Sequence, residues 1–297
     1  MSRILVTGVS GFIGSNLVPH LKREGHEVYG IFRTPPSFTA GTRALDQIHV
    51  LEESKGSDNL EEICRKTSPE ILIHLASTFI AAHQSHQVST LVTSIVDFPT
   101  RILDITSSHG LKQFINVGTL WQFFNGASHS PVNLYAALKE SFEKVIDYYS
   151  DTTTTRFTTL YLTDTYGPGD TRNKIISQLF KASRDNTKLR LSPGAQLLSL
   201  VNVDDVARAF LDVLGDSKAK GRYRVDADQL ITLRELVSIV EKTIGSKIDA
   251  SFGATPYRQR EIMNPIIPYP RVPNWSPKIS IDEGIKMLSD QIRWNPS

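Results

Sequence analysis

Tyr135 and Lys139 stand four residues apart in the segment PVNLYAALKE. In a helix, this spacing places the phenol and the ammonium group on the same face. A positive charge beside a phenol stabilises the phenolate and lowers its pKa, as a proton-transfer residue near neutral pH requires. The pair therefore predicts acid–base chemistry at a tyrosine.

A glycine-rich segment, ILVTGVSGFIGSNL, lies near the start of the chain. An apolar run leads into Gly8, Gly11 and Gly14, and an apolar helical pattern follows. Strand, glycine turn and helix in this order form the opening unit of a dinucleotide-binding fold. The glycines let the backbone approach a pyrophosphate, and the helix N-terminus supplies unpaired N–H groups. Combined with an activated tyrosine, this unit predicts hydride transfer at a carbinol or ketone.

The rest of the chain alternates between strand and helix patterns, which predicts an α/β fold with a doubly wound parallel sheet. Ligands of such sheets bind at the carboxyl ends of the strands, so we expect Ser77, Thr78 and Thr119 to point into a cleft. Strands are predicted near 3–7, 27–32, 47–51, 71–75, 113–118 and 157–162. Helices are predicted near 12–24, 58–66, 88–108, 133–150, 172–185, 203–214, 233–244 and 280–291.

The composition predicts an ordinary soluble globular protein of 297 residues, 40% of them hydrophobic. A net charge of +2 is too small to indicate a nucleic-acid or membrane-surface partner. Cys64 is the single cysteine, which excludes a disulfide framework. A strand that begins at residue 4 leaves no room for a signal peptide, and no apolar run is long enough to span a membrane. We therefore expect a cytoplasmic protein.

Three polar clusters are better explained by structure than by chemistry. His83 and His86 have no obvious third ligand, so we predict no metal site. Asp204 and Asp205 stand at the start of an apolar-periodic helix, where carboxylates cap N–H groups. His74 follows a buried strand, and we predict a packing role for it.

The order of the motifs resembles an extended short-chain dehydrogenase/reductase of the nucleotide-sugar epimerase/dehydratase type. The resemblance runs from Thr7 to about Lys278. It implies a Rossmann-type dinucleotide-binding domain in residues 1–164, to which 199–225 return, and a smaller C-terminal substrate lobe in 165–198 and 226–297. The motifs that carry it are TGVSGFIG at 7–14, HLA at 74–76, Thr119, Tyr135 with Lys139, YGPGD at 166–170 and VDDVA at 203–207.

The resemblance also implies roles for individual residues. Thr119 would hydrogen-bond the reacting oxygen of the sugar, Tyr135 would exchange a proton with that oxygen, and Lys139 would hold the nicotinamide ribose. These three are the predicted catalytic residues. The predicted cofactor site comprises Gly8, Ser10, Gly11, Phe12, Ile13, Gly14, Arg33, Leu75, Ala76 and Ser77, together with Tyr135 and Lys139.

The end of the second predicted strand indicates which cofactor is used. Sites that prefer NAD usually carry an acidic residue there, which binds the adenosine ribose. This chain instead continues with Arg33, and a guanidinium suits a 2′-phosphate through its charge and bidentate geometry. We therefore predict NADP(H).

The predicted substrate is a nucleotide-activated sugar, with a CDP-sugar favoured. Dehydratases of the family carry an Asp-Glu pair after the threonine, whereas Leu120 and Trp121 stand here and can do neither acid nor base chemistry. Leu198 stands where many epimerases have a nucleotide-binding arginine, so the usual uridine or thymidine pattern is in doubt. Predicted substrate contacts are Thr78, Thr119, Trp121, Gln122, Asp164, Arg172, Lys174 and Arg258, with Arg260 as an alternative to Arg258.

Three functions fit these residues. The first is NADPH-dependent reduction of a 4-keto nucleotide sugar, as in the CDP-3,6-dideoxyhexose synthases that make abequose or paratose for surface polysaccharides such as the O-antigen. The second is 4-epimerisation with retained NAD, and the third is a non-catalytic NADP(H)-sensing protein. The resemblance further implies a homodimer through the helices at 88–108 and 133–150.

Overall fold

The computed structural model describes residues 1–34, 40–51 and 56–294. Its centre is a seven-stranded sheet in which every neighbouring pair of strands is parallel. The strands are β1 (Arg3–Thr7), β2 (Glu27–Phe32), β3 (Gln47–Val50), β4 (Ile71–His74), β5 (Gln113–Thr119), β6 (Arg156–Leu162) and β11 (Gly221–Val225). Their spatial order is β3-β2-β1-β4-β5-β6-β11.

Helices cover both faces of this sheet. One face packs against α1 (Phe12–Arg23) and α8 (Val203–Gly215), and the other against α3 (Gly56–Thr67), α5 (Phe98–Ser108) and α6 (Leu134–Thr152). The short helix α2 (Ala40–Arg43) lies beside α1, and the short helix α4 (Val88–Val92) lies beside α6. Because both faces are covered, a central strand such as β1 is a continuous apolar run, and Ile4, Leu5 and Val6 are fully buried.

A smaller lobe has its own apolar core, which includes Leu179, Leu236 and Ile285. Its helices are α7 (Ile175–Asp185), α9 (Leu233–Ile244) and α10 (Ile281–Trp294). Its short strands form three pairs: β7 (Asp164–Tyr166) with β10 (Leu200–Asn202), β8 (Leu189–Leu191) with β13 (Ala250–Phe252), and β9 (Leu197–Leu198) with β12 (Ile231–Thr232). The core of this lobe is distinct from the two cores that sandwich the large sheet.

The predicted fold class, a Rossmann-type sheet with a smaller lobe, is confirmed. One predicted helix, 88–108, is helical throughout but contains a π-helical segment at Thr93–Asp97 between α4 and α5. There the Ser94 hydroxyl accepts a hydrogen bond from the Thr78 amide at 2.7 Å, which fixes the chain just after β4. Among the described residues, no helix is long and apolar enough to cross a bilayer.

Candidate active site

The turn after β1 forms a cradle that only glycine can build. Gly8 has a positive φ of 74°, and a Cβ there would lie 2.5 Å from the amide nitrogen of Ala76. A Cβ on Gly14 would lie 2.4 Å from the Gly8 carbonyl oxygen. No side chain caps the N-terminus of α1 at Gly11, so its first N–H groups face an exposed loop. Close backbone packing and a free helix N-terminus suit a pyrophosphate.

Thr7 ties this cradle to β4. Its hydroxyl lies 2.8 Å from Nδ1 of His74 and accepts a hydrogen bond from the Ala76 amide at 3.2 Å. Burial, helped by the nearby charge of Lys139, lowers the pKa of His74 to about 3, so the ring is neutral at physiological pH. The ring packs against Phe98, Phe114 and Phe142, in keeping with a packing role.

Ser77 gives a second sign that this edge of the sheet receives a ligand. Its hydroxyl oxygen is buried and has no hydrogen-bond partner of acceptable geometry, although it lies close enough to the Tyr135 phenol to lower the pKa of that group. Buried hydroxyls without partners are uncommon. Together with the cradle at Gly8 and Gly14, this orphaned hydroxyl fits a dinucleotide bound between β1 and β4.

Tyr135 lies in the first turn of α6, which begins because the Asn133 side chain accepts a hydrogen bond from the Ala136 amide at 3.0 Å. The sequence predicts a lowered pKa for the phenol, but in the structure the pKa is shifted in the opposite direction. Burial raises the pKa of Tyr135, and only Ser77 opposes that shift. Lys139, one turn on, donates its hydrogen bond to the Val117 carbonyl at 3.1 Å.

Lys139 is 4% exposed, and burial lowers its pKa to about 8. The charge of Glu143, one turn further along α6, works against that shift. The ammonium form therefore still dominates at pH 7. A buried lysine retained beside a tyrosine costs folding energy, which is typical of a functional group.

Thr119 ends β5, and a buried hydrogen-bond chain fixes its backbone. The Thr119 amide donates to Oε1 of Gln122 at 2.9 Å, and Nε2 of Gln122 donates to Glu143 at 2.6 Å. Tyr161 and Arg222 also donate to Glu143, at 2.6 and 3.4 Å. Gln122 is 1% exposed and lines neither cavity described below, so it lies beneath the site and not in the sugar pocket where the sequence predicts it.

Thr119 and Tyr135 line one cavity of about 470 Å³. Ile13, which lies between Gly11 and Gly14 of the glycine cradle, lines the same cavity. The predicted dinucleotide cradle and the predicted proton donor therefore meet at one space, as the order of the motifs implies. Other lining residues include Phe79, Val117, Leu120, Trp121, Leu162, Asp164, Thr165, Arg172 and Lys174.

A larger cavity of about 770 Å³ adjoins the first and shares Phe79, Trp121, Asp164 and Lys174 with it. Its lining holds six basic side chains against three acidic ones, an excess that favours an anionic ligand. The basic residues are Lys174, Lys181, Arg184, Arg190, Arg258 and Arg260, and the acidic ones are Asp164, Asp170 and Glu261. A nucleoside diphosphate matches this cavity in volume and charge.

Arg172, a predicted substrate contact, is already engaged in the structure. Its Nε and one Nη form a bidentate pair with Asp170 at 2.7 and 2.8 Å, and the same Nη donates to the Thr165 carbonyl. The guanidinium also lies 4.2 Å from the centre of the Phe12 ring. Arg172 thus joins the smaller lobe to the start of α1, and a role on a diphosphate stays a prediction.

Arg33 directly follows β2 and is exposed, at the edge where the adenosine end of a dinucleotide would lie.

Leu120 is 6% exposed and Trp121 lines both cavities, so neither position after Thr119 offers an acid or base. Asp205 bonds the backbone amides of Lys278 and Ile279, and Asp204 pairs with His20. Within the described ranges, no three His, Cys, Asp or Glu side chains form a metal cluster.

Sequence reasoning missed Phe79 and Arg190 in the cavity linings. Phe79 follows the carboxyl end of β4, so the rule that found Ser77 and Thr78 would have found it had apolar residues been included. Arg190 lies on the short strand β8, and no motif in the sequence marks it.

Comparison with known proteins agrees with the geometry of the cleft. The model of the NAD dependent epimerase/dehydratase family matches residues 4–225. CDP-abequose synthase of Yersinia pseudotuberculosis is 31% identical over 273 residues, which cover 90% of this chain and 93% of the relative.

Among solved structures, UDP-glucose 4-epimerase of Thermotoga maritima with UDP-glucose has a TM-score of 0.87 at 21% identity, covering 99% of each chain. MoeE5 in complex with UDP-glucuronic acid and NAD has a TM-score of 0.85 at 19% identity, covering 98% of this chain and 99% of that chain. At these identities, the structural likeness shows the fold alone.

Proposed function

The chain belongs to the NAD-dependent epimerase/dehydratase family, and from that premise we propose that it reduces the 4-keto group of a nucleotide-activated deoxysugar with NADPH. The favoured substrate is a CDP-4-keto-3,6-dideoxyhexose, whose reduced product would serve surface-polysaccharide biosynthesis. The observation that carries the proposal is the presence of Ile13, Thr119 and Tyr135 around one cavity. The similarity to CDP-abequose synthase supports the class of sugar.

The chemistry divides simply between cofactor and protein. NADPH, when bound, supplies a hydride to C4 of the ketone. Tyr135 donates its phenolic proton to the oxygen that becomes an alkoxide, so one hydride and one proton convert the ketone to an alcohol. The Thr119 oxygen accepts from the Trp121 amide at 3.3 Å, which leaves its own O–H to stabilise the developing charge. Lys139 would hold the nicotinamide ribose.

The protonation state of Tyr135 is the one that a reduction requires. Because burial raises the pKa of the phenol, it carries its proton at neutral pH. A reductase needs a proton donor at the start of its cycle, whereas an epimerase first removes a proton from the sugar hydroxyl. Epimerisation with retained NAD uses the same three residues and is the enzymatic alternative.

The proposed preference for NADPH rests on Arg33. A charge-assisted contact with the 2′-phosphate should contribute on the order of 1.5–3 kcal/mol, or about ten- to a hundred-fold in affinity. Arg33→Ala should therefore weaken the binding of NADPH by that factor and leave the binding of NADH nearly unchanged, so that the preference for NADPH is lost. Arg23→Ala, an exposed arginine at the far end of α1, is the matched control. Equal affinity of the unmodified protein for both cofactors would refute the assignment.

The decisive experiment tests reduction, epimerisation and sensing together. Purified protein is mixed with CDP-, UDP- and dTDP-linked 4-keto sugars and NADPH, and cofactor oxidation and sugar products are followed. Stoichiometric oxidation with the CDP-sugar supports the proposal. Interconversion of 4-hydroxy sugars without added cofactor, with NAD released on denaturation, would indicate the epimerase. Cofactor binding without turnover of any sugar would indicate a sensing protein.

The proposed assembly is a homodimer through the helical segment 88–108 and α6. Val88, Val92 and Tyr148 on these helices are more exposed than large apolar side chains usually are. Light scattering measures the mass in solution, and a monomer at micromolar concentration would contradict this assembly.

A further inference from the structure

Phe79 is an unusual residue for the surface of a cleft. It is 48% exposed, yet it lines both cavities. Its ring meets Tyr135 edge to face at 5.1 Å and lies 5.4 Å from the ring of Trp121. Phe79 and Trp121 therefore form an aromatic wall directly beside the predicted proton donor.

Cations lie against this wall. The Lys174 ammonium is 5.0 Å from the centre of the Phe79 ring and 6.0 Å from that of Trp121. The Arg258 guanidinium is 5.3 Å from the Trp121 ring and lines only the larger cavity. The order along the cleft is thus Arg258, which lines only the larger cavity, then the aromatic wall with Lys174, which line both, and then Tyr135, which lines only the smaller one.

That order assigns the position of each part of a nucleotide sugar. A diphosphate suits the cations, and the sugar carbonyl must reach Tyr135, so the sugar ring would lie along the wall. C4 has two ring neighbours. Of these, only C3 carries a hydroxyl in an ordinary hexose, because C5 carries the ring oxygen and C6. A hydroxyl held against the faces of the phenyl and indole rings would lose water without gaining a hydrogen-bond partner, whereas a methylene group would lose none.

We propose that Phe79 and Trp121 select sugars that lack the hydroxyl at C3, the carbon beside the reacting ketone. This inference rests on the proposed reduction at C4. Apolar pockets reject an added hydroxyl only moderately, so we expect a preference of about ten- to a hundred-fold in kcat/KM.

The test compares two substrates that differ only at C3, the CDP-linked 4-keto-3,6-dideoxy and 4-keto-6-deoxy sugars. The unmodified protein should prefer the first. Phe79→Asn, which offers the hydroxyl a partner, should reduce the preference by about tenfold. Phe79→Leu keeps an apolar surface and should retain most of it. Lys181→Met, at an exposed position that lines only the larger cavity, should change kcat/KM for both substrates by the same factor.

The outcomes separate this inference from the proposed function. If neither ketone is reduced by the unmodified protein, the reductase itself is refuted. If both are reduced with equal kcat/KM, or if Phe79→Asn keeps the full preference, the wall does not select the substrate although the reductase stands. Trp121→Gln is a second variant of the wall should Phe79→Asn fold poorly, as judged by thermal melting, and the same loss of preference is expected because its amide also offers the hydroxyl a partner.

Discussion

The two ends of the cleft that we propose for the cofactor and for the substrate differ in the atoms that form them. At the cofactor end, the backbone at Gly8 and Gly14 packs so closely that a Cβ would collide with neighbouring main chain. At the substrate end, long side chains such as Phe79, Lys174 and Arg258 line the cavity. A backbone site tolerates almost no substitution, whereas a side-chain site can change residue by residue. This contrast explains how one cofactor fold accommodates many sugars.

Tyr135 lies where the two ends meet, and its loss should have the largest effect. Tyr135→Phe keeps the ring against Phe79 and removes only the proton donor. Turnover should fall by roughly 10²–10⁴-fold while cofactor affinity stays nearly constant, as single-turnover mixing with NADPH and a binding titration would measure. Tyr148→Phe, at an exposed position on α6, should change neither. Near-normal hydride transfer in Tyr135→Phe would mean that another group supplies the proton.

A substitution in the cradle tests whether backbone contacts form the cofactor end. Gly8→Ala combines a positive φ with a Cβ 2.5 Å from Ala76, so NADPH affinity should fall by about ten- to a hundred-fold. Gly25→Ala is the matched control, because Gly25 also has a positive φ but a Cβ added there would meet no atom within 4 Å. It should lose some stability and no affinity. Equal affinities for the two variants in a fluorescence titration would contradict a cradle at Gly8.

A substitution at the proposed substrate end should weaken substrate binding more than it slows turnover. Lys174→Met removes a cation that lies beside Phe79 and 3.3 Å from Asp164. The Michaelis constant for the nucleotide sugar should rise about tenfold with turnover little changed, since a diphosphate contact is the same in ground and transition states. Lys218→Met, on an exposed loop, is the control. A loss confined to turnover would place Lys174 in the chemical step.

The effect of Lys139→Met on the free energy of unfolding is the smallest of the expected effects, and it depends on pH. The pKa of Lys139 is about 8 in the folded protein and 10.5 ordinarily, so the unfolded chain binds the proton more tightly. The free energy of unfolding is therefore lowest below about pH 8 and rises as the pH increases toward 10.5. Lys139→Met should therefore raise the free energy of unfolding at pH 7 by about 1–2 kcal/mol, after the lost hydrogen bond to Val117 is counted.

Chemical unfolding at pH 7 and pH 10.5 measures this effect, and the gain should shrink at the higher pH. Lys144→Met, an exposed position on the same helix, is the control. Turnover of the unmodified enzyme should also fall as pH rises through about 8, because the ammonium form is lost. A destabilised Lys139→Met at pH 7 would show that burial of this charge is not costly.

The sequence by itself determined most elements of the large sheet and the glycine turn after β1. Apolar runs, glycine spacing and the interval between Tyr135 and Lys139 are local signals, because they depend on residues close together in the chain. The strands, the turn and the helix that they predict are present in the structure. The β7–β10, β8–β13 and β9–β12 pairs were not predicted, because strands of two or three residues carry too little pattern to be distinguished from loop. The edge strand β11 was not predicted either, although the sequence analysis returns residues 199–225 to the large domain.

Only the tertiary structure decided where the substrate side chains point. Gln122 turns beneath the site because Glu143, 21 residues away, offers it a buried carboxylate. Burial raises the pKa of Tyr135, an effect that no spacing in the sequence shows. Phe79 lies beside the proposed proton donor only because the fold brings Tyr135 and Trp121, from distant segments of the chain, into contact with its ring. Side-chain direction depends on contacts made across the fold, and neither helical nor strand periodicity encodes those contacts.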